Sequence, residues 1–200
     1  MKRSLFALTM AASLLVTAPT SHATIIKYTA GLSGLNEAPA NASPGSGLAV
    51  VTVDDVLHTM RIEVTFADLI GTVTAAHIHC CTAVALSGTA GVATTLPSFV
   101  GFPTGVSAGT YDNTLDMLMP TSYSPTFVTA HGGTPTGAEA FLFDGMAHDL
   151  AYFNIHTSAF PGGEIRGFLT PATTSVPEPA TLALVGLGFA GLGWSRRKNG

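Results

Sequence analysis

Apolar and polar residues alternate along several short segments of the chain, a pattern typical of β-strands. The clearest case is 60–66, Met-Arg-Ile-Glu-Val-Thr-Phe, in which every second side chain is apolar. Such alternation indicates antiparallel strands with one face on a core and the other in solvent. Six segments rich in Val, Ile, Thr, Tyr and Phe are predicted as strands: 25–32, 48–53, 60–66, 73–79, 150–156 and 165–169.

The segments between these strands carry Gly, Pro, Ser, Asn and Asp, which mark turns. A long loop is predicted over 82–110, which is rich in Gly, Thr, Ser and Pro. Residues 136–147 differ, because four apolar residues there suit one short amphipathic helix: Ala138, Phe141, Leu142 and Met146. The pattern as a whole predicts an all-β fold, an antiparallel β-sandwich with Greek-key connections and one short helix.

The first 23 residues read as a secretory signal peptide. Lys2 and Arg3 precede an apolar run over 5–16, and Ser21-His22-Ala23 forms a small-x-small cleavage site. We expect passage through the export machinery and cleavage after Ala23.

The last 25 residues combine an extended motif, an apolar run and a basic end. Pro177-Glu178-Pro179 favours extended backbone open to a processing enzyme. The apolar run over 182–194 can enter a bilayer, and Arg196 and Arg197 hold its end on the cytoplasmic side. At about 1.5 Å per residue, roughly fifteen residues fall short of a hydrocarbon core of roughly 30 Å. We therefore expect a transmembrane sorting helix over 182–200 that serves as a transient anchor.

This tripartite tail resembles the PEP-CTERM sorting signal of Gram-negative bacteria. The resemblance implies recognition by an exosortase, cleavage near the motif, and release or attachment at the cell surface. It also suggests a link to envelope components or extracellular polysaccharide. The residues implicated in processing are Ala23, Pro177, Glu178, Pro179, Arg196 and Arg197. The chain then divides into a signal peptide (1–23), a domain (26–170), a linker with the motif (171–181) and the sorting helix with its basic tail (182–200).

The charge of the chain changes once both ends are set aside. The formal net charge is −4, but five of the eight basic residues lie in the two end segments. Residues 24–176 hold three basic residues against eleven acidic ones, a net charge of −8. So acidic a domain is a poor match for nucleic acid or an anionic membrane surface.

Two motifs in the middle of the chain carry the candidate chemistry. One is Ala-His-Ile-His at 76–79; the other is Phe-Asn-Ile-His-Thr at 153–157, leading to Pro-Gly-Gly-Glu-Ile-Arg-Gly at 161–167. These blocks resemble conserved motifs of the chordin-type (CHRD) domain family. The resemblance implies an immunoglobulin-like β-sandwich in an exported protein, with no settled activity in bacterial members. The chain departs from many members in having Cys80 and Cys81 where they continue with glycine.

His77 and His79, two residues apart on a predicted strand, share one face. That spacing presents two imidazoles to one metal ion, and neutral imidazole suits Zn²⁺ or Cu²⁺. His156 as a third ligand and Glu164 as a carboxylate would complete such a site.

The hairpin that follows has a polar face of its own. If the turn at 161–163 pairs its strands in register, four residues share that face: Asn154, His156, Glu164 and Arg166. The cluster is either a ligand site or a structural network that fixes strand register.

Cys80 and Cys81 are the only cysteines. In an exported protein an even pair suggests a disulfide, although adjacent residues close only a tight eight-membered ring. Bridges to another chain, free buried thiols, and soft ligands beside His79 are the alternatives.

These observations lead to a functional expectation. No serine lies in a Gly-x-Ser-x-Gly elbow and no nucleophilic triad can be assembled. We expect a non-enzymatic exported domain with a binding or structural role at the envelope or in the polysaccharide matrix. The competing hypothesis is a copper- or zinc-binding redox or metal-buffering protein that uses His77, His79 and His156.

Overall fold

A computed structural model describes residues 25–172 of the chain. The predicted signal peptide, Pro-Glu-Pro motif and sorting helix lie outside those residues. Within the described part, no helix is both long and apolar enough to cross a membrane.

The described residues form eight β-strands and two α-helices. The strands are β1 (Ile25–Ser33), β2 (Ser46–Asp54), β3 (Thr59–Ala67), β4 (Val73–His79), β5 (Gly109–Asp116), β6 (Tyr152–Thr157), β7 (Ile165–Phe168) and β8 (Thr170–Pro171). The helices are α1 (Pro125–Ala130) and α2 (Pro135–Ala147), with short 3₁₀ helices at Gly34–Asn36 and Pro120–Ser122.

All eight strands belong to one hydrogen-bonded sheet. The order is β4-β6-β7-β1-β2-β3-β5, with β8 pairing with β1, and every pairing is antiparallel. The all-β antiparallel prediction is therefore confirmed. The immunoglobulin-like sandwich is not confirmed, because the strands form one continuous curled sheet and not two separately bonded sheets.

The two halves of the sheet differ in how they are covered. Strand β3 alternates buried and open positions as its sequence predicts. Strands β6 and β7 are buried at nearly every position, so both faces of this half are covered. The inner face carries core residues such as Ile78, Phe153 and Ile155, each fully buried. The opposite face of β4 and β6 is also buried, although it carries polar side chains, among them His77, His79 and Asn154.

Helix α2 closes one side of the core, as predicted, through Ala138, Leu142 and Met146, which are fully buried. Phe141 is instead 42% exposed, so its assignment to the buried stripe is wrong. Pro135 at the first turn and a hydrogen bond from the Gly137 amide to the Thr134 hydroxyl fix where the helix begins.

The sequence pattern did not predict α1 or β5. The prediction of only one short helix is therefore wrong. Strand β5 buries only Tyr111 and Leu115. Its other positions are polar or small, so no alternating apolar run marks it. The predicted loop is irregular up to residue 108, and β5 begins at Gly109.

Gly167 lies where β7 packs against β1. A Cβ on Gly167 would run into the carbonyl oxygen of Gly31, a backbone atom that cannot rotate away. We expect Gly167→Ala to lower the free energy of unfolding by about 1–3 kcal/mol. The matched control is Gly31→Ala, where a Cβ meets nothing within 4 Å. Urea unfolding should place that control within about 0.5 kcal/mol of the wild type; equal losses in the two variants would contradict the assigned contact.

Candidate metal centre

Three histidines converge on the polar face of the β4-β6 pair. His77 and His79 lie on β4, and His156 lies on β6. Register places His77 opposite Asn154 and His156 opposite Ala75. One ring nitrogen of each histidine lies within 4.8 Å of those of the other two. The ring centroids of the three pairs are 5.3 to 5.8 Å apart.

Each imidazole is held from outside by a backbone carbonyl. His77 Nε2 lies 2.6 Å from the Pro97 oxygen, His79 Nδ1 lies 3.0 Å from the Ala90 oxygen, and His156 Nδ1 lies 2.9 Å from the Pro161 oxygen. A carbonyl oxygen only accepts, so the nitrogen facing it must carry the proton. The neutral tautomer of all three rings is thereby fixed.

The opposite nitrogen of each ring has no hydrogen-bond partner. These atoms are His77 Nδ1, His79 Nε2 and His156 Nε2, and all three are buried. In the neutral tautomers set by the carbonyls, each carries a free lone pair. Three buried lone pairs in one cluster are an unusual cost unless something binds them. A backbone carbonyl behind a histidine is also the support that metal-bound imidazoles use.

The environment keeps the three rings neutral. Burial lowers the pKa of His77 from 6.5 to about 4, although the Pro97 carbonyl opposes the shift. Burial likewise lowers the pKa of His79 to about 4, against the Ala90 carbonyl. The pKa of His156 is also lowered by burial. The rings are therefore unprotonated at neutral pH, the form that coordinates a metal ion.

A stack of side chains continues from His79 along the same face. Tyr152 lies parallel to the His79 ring at 4.8 Å, and the Arg166 guanidinium lies 4.7 Å from the Tyr152 ring. Arg166 donates to the carbonyl oxygens of Asn36 and Gly88, at 2.5 and 3.1 Å. Arg166 thus ties the 3₁₀ helix at Gly34–Asn36 and the segment at Gly88 to the sheet.

Asn154 and Glu37 border the cluster with unused acceptors. Asn154 lies between His77 and Arg166 in register, is 3% exposed, and its Oδ1 has no partner. Glu37 Oε1 also has no partner, while its Oε2 lies 3.8 Å from Arg166 Nε. Both side chains lie close to Gly163. A Cβ at that position would lie 2.7 Å from the Asn154 amide atoms and 2.7 Å from Glu37 Oε1. Burial raises the pKa of Glu37 to about 7, against the opposing effect of Arg166.

Two known protein families have models that match this chain. A model of the CHRD domain matches residues 28–169, more than two thirds of the chain, and spans all three histidines. The chain belongs to the CHRD domain family. A model of the PEP-CTERM protein-sorting motif matches residues 175–198. Neither comparison with curated proteins nor comparison with solved structures found a match.

The sorting motif indicates where in or outside the cell this CHRD protein is found. It indicates export, recognition by an exosortase, and a place at the cell surface or outside the cell after processing. The individual processing residues lie outside the described part of the chain, so Ala23, Pro177, Glu178, Pro179, Arg196 and Arg197 remain predictions.

One predicted member of the site lies elsewhere in the CHRD domain. Glu164 precedes β7, so strand alternation does not orient its side chain. Its carboxylate turns away from the histidines and accepts four hydrogen bonds, from the Ser43 and Thr157 hydroxyls and the Ile70 and Gly71 amides. Burial raises the pKa of Glu164, but these hydrogen bonds outweigh it and leave the pKa below its usual value. The predictions that Glu164 is a metal ligand and that it shares the polar hairpin face are therefore wrong.

The two cysteines are joined. The structure has a disulfide between Cys80 and Cys81, immediately after His79. Cys80 turns to the core side of β4 and is 5% exposed. The disulfide thus lies on the opposite side of the strand from the His79 ring.

The buried histidines make the stability of the metal-free domain depend on pH. Between pH 6.5 and about 4 the unfolded chain binds protons that folded His77 does not, so stability falls as the pH falls. Glu37 acts in the opposite direction between 4.5 and about 7, because only its folded form keeps the proton. The difference between wild type and His77→Gln isolates the histidine.

Urea unfolding at pH 7, 6, 5 and 4 should therefore show the wild type losing more stability than His77→Gln. The expected difference at pH 4 is on the order of 3 kcal/mol at most, from about 1.4 kcal/mol per pKa unit. Parallel curves for the two proteins would contradict a buried neutral His77.

Proposed function

We propose that this exported CHRD protein binds one divalent transition-metal ion, zinc or copper, through His77, His79 and His156. The observation that carries the proposal is the set of three buried lone pairs. Each imidazole donates its proton outward to a backbone carbonyl and leaves its inward nitrogen without a partner. Three inward lone pairs, each on a ring supported from behind by a carbonyl, are an arrangement suited to coordinating a cation.

The donor set fits borderline metals. Zn²⁺ and Cu²⁺ favour imidazole nitrogen, whereas Mg²⁺ and Ca²⁺ favour oxygen. Tetrahedral coordination with Zn–N bonds of about 2.0–2.1 Å requires nitrogens about 3.3 Å apart. In the structure the three candidate ligand nitrogens lie within 4.8 Å of one another, so binding would bring them closer together by up to about 1.5 Å. With three protein ligands the ion would keep a position for water or another ligand.

The role we propose is metal binding or buffering at the cell surface, without a catalytic step. The sorting motif, which indicates a place at the cell surface or outside the cell, supports a role in contact with the surroundings. The net charge of −8 over residues 24–176 favours the approach of cations. The neutral histidines remain available to metal well below pH 6.5, since protons compete weakly for them.

Metal analysis of the mature protein, purified without an affinity tag, tests the proposal. One zinc or copper ion per chain is expected in the wild type, and none in His77→Ala/His79→Ala. The matched control is His131→Ala/His148→Ala, which changes two histidines at the helix ends. An empty wild type that also takes up neither metal on challenge would contradict the proposal.

A structural role at the envelope or in the polysaccharide matrix is the second candidate. It is favoured by the sorting motif, which indicates a place at the cell surface or outside the cell. Binding of purified surface polysaccharide by both the metal-loaded and the histidine-substituted protein would support this candidate. A protein that binds metal and no polysaccharide would count against it.

A further inference from the structure

The disulfide between Cys80 and Cys81 adds little to the overall stability of the fold. A disulfide stabilises mainly by restricting the unfolded chain, and the effect grows with the length of the loop it closes. Adjacent residues close the shortest loop that a chain offers. Its presence directly after a candidate metal ligand therefore calls for another explanation.

The bond lies beside a cleft that a reductant can enter. Cys80 lines a cleft of about 350 Å³ between α1 and the segment 91–96, together with Val92, Phe127 and His131. Cys81 is partly exposed. Exposed disulfides are the ones that exchange readily with external thiols.

Helix α2 fits closely against the bonded pair. Gly145 faces both sulfur atoms, and a Cβ at that position would clash with each of them. Two separate thiols occupy more space than a bonded pair. Reduction must therefore displace the 80–81 segment from α2.

That displacement reaches His79 through one short segment, residues 90–92. The Ala90 carbonyl accepts from His79 Nδ1, and the Gly91 carbonyl accepts from the Cys80 amide at 3.1 Å. His79 and Val92 also form an isolated β-bridge. A shift of Cys80 pulls on the same segment that holds the tautomer and orientation of the His79 ring.

We propose that Cys80–Cys81 is a redox-active site for dithiol reductants and that its reduction weakens metal binding at His79. A thiolate of the reductant attacks one sulfur, the bond between the cysteines breaks, and a mixed disulfide forms. The second thiol of the reductant then displaces the remaining cysteine. Two electrons and two protons pass to the protein, which holds two thiols, while the reductant leaves as a disulfide. The coupling to metal rests on the proposed function; the exchange does not.

The exchange is tested by counting thiols. The mature protein is incubated under native conditions with dithiothreitol, freed of it by gel filtration, and titrated with a chromogenic disulfide reagent. We expect two thiols per chain, and none before treatment. Thiols that appear only after denaturation would overturn the redox-active site.

The coupling is tested by zinc competition against a chromophoric chelator, with oxidised, reduced and reoxidised protein. We expect the dissociation constant to rise at least tenfold on reduction and to return on reoxidation. Cys80→Ser/Cys81→Ser should show the weaker affinity without responding to dithiothreitol. It also removes any contribution of free thiols to zinc binding, and circular dichroism checks its fold.

The outcomes separate the two proposals. An affinity that is unchanged or higher in the reduced protein, with the serine variant equal to the oxidised wild type, overturns the coupling alone. A protein that releases two thiols and binds neither zinc nor copper in either state overturns the proposed metal function and with it the coupling. Reversibility in the wild type keeps the test valid if the serine variant does not fold.

Discussion

Replacement of His79 by alanine is expected to lower the affinity for zinc and copper at least ~100-fold. The substitution removes one of three ligands, and even loss of a residue that only supports a ligand costs about 10–100-fold. Isothermal titration of the metal-free proteins gives the comparison. The matched control is His148→Ala, an exposed histidine at the end of α2, which should leave the affinity unchanged.

The same variants differ in how metal changes their stability. At a free metal concentration about 100 times the dissociation constant, binding stabilises the wild type by about 2.7 kcal/mol. His148→Ala should gain as much, and His79→Ala should gain almost nothing at that concentration. An equal rise in the melting temperature of all three proteins would mean that the ion binds elsewhere.

Glu164→Ala is expected to lower the free energy of unfolding by about 3–5 kcal/mol. The carboxylate is fully buried and accepts four hydrogen bonds, two of them from the backbone amides of Ile70 and Gly71. Removing it leaves four donors without this partner, of which the Gly71 amide and the Thr157 hydroxyl are buried, and it opens a cavity; both effects are destabilising. Urea unfolding at neutral pH measures the loss.

Glu63→Ala is the matched control for this prediction. Glu63 lies on the open face of β3, where it meets Arg61 at 3.0 Å, and both side chains are well exposed. Its replacement should change stability by no more than about 0.5 kcal/mol. A loss below about 1 kcal/mol in Glu164→Ala would contradict the structural role assigned to the buried carboxylate.

The part of the site that lies on regular strands could be predicted from the sequence. The two-residue period of β4 and β6 places His77 with His79, and Asn154 with His156, on shared faces. The same alternation could have included Tyr152, two residues before Asn154, which stacks on His79. Their convergence follows from antiparallel pairing of β4 with β6, a long-range contact that a local pattern does not specify.

The rest of the site depends on loops, for which no periodic rule applies. Glu164 lies just before β7, so extending the alternation one residue too far gave it the wrong direction. Glu37 and the carbonyls of Ala90, Pro97 and Pro161 come from irregular segments. Strand β5 was missed because it buries only two apolar residues. The single curled sheet could not be predicted either, because an alternating pattern indicates which segments are strands and does not indicate their order in the sheet.

X-ray absorption spectroscopy of the zinc-loaded mature protein would show whether three imidazoles coordinate one ion. One equivalent of zinc should show three imidazole nitrogens at about 2.0–2.1 Å and no sulfur. His156→Ala should lose one of these scatterers. A sulfur shell at about 2.3 Å, or a shell of oxygens without imidazole scattering, would contradict the account.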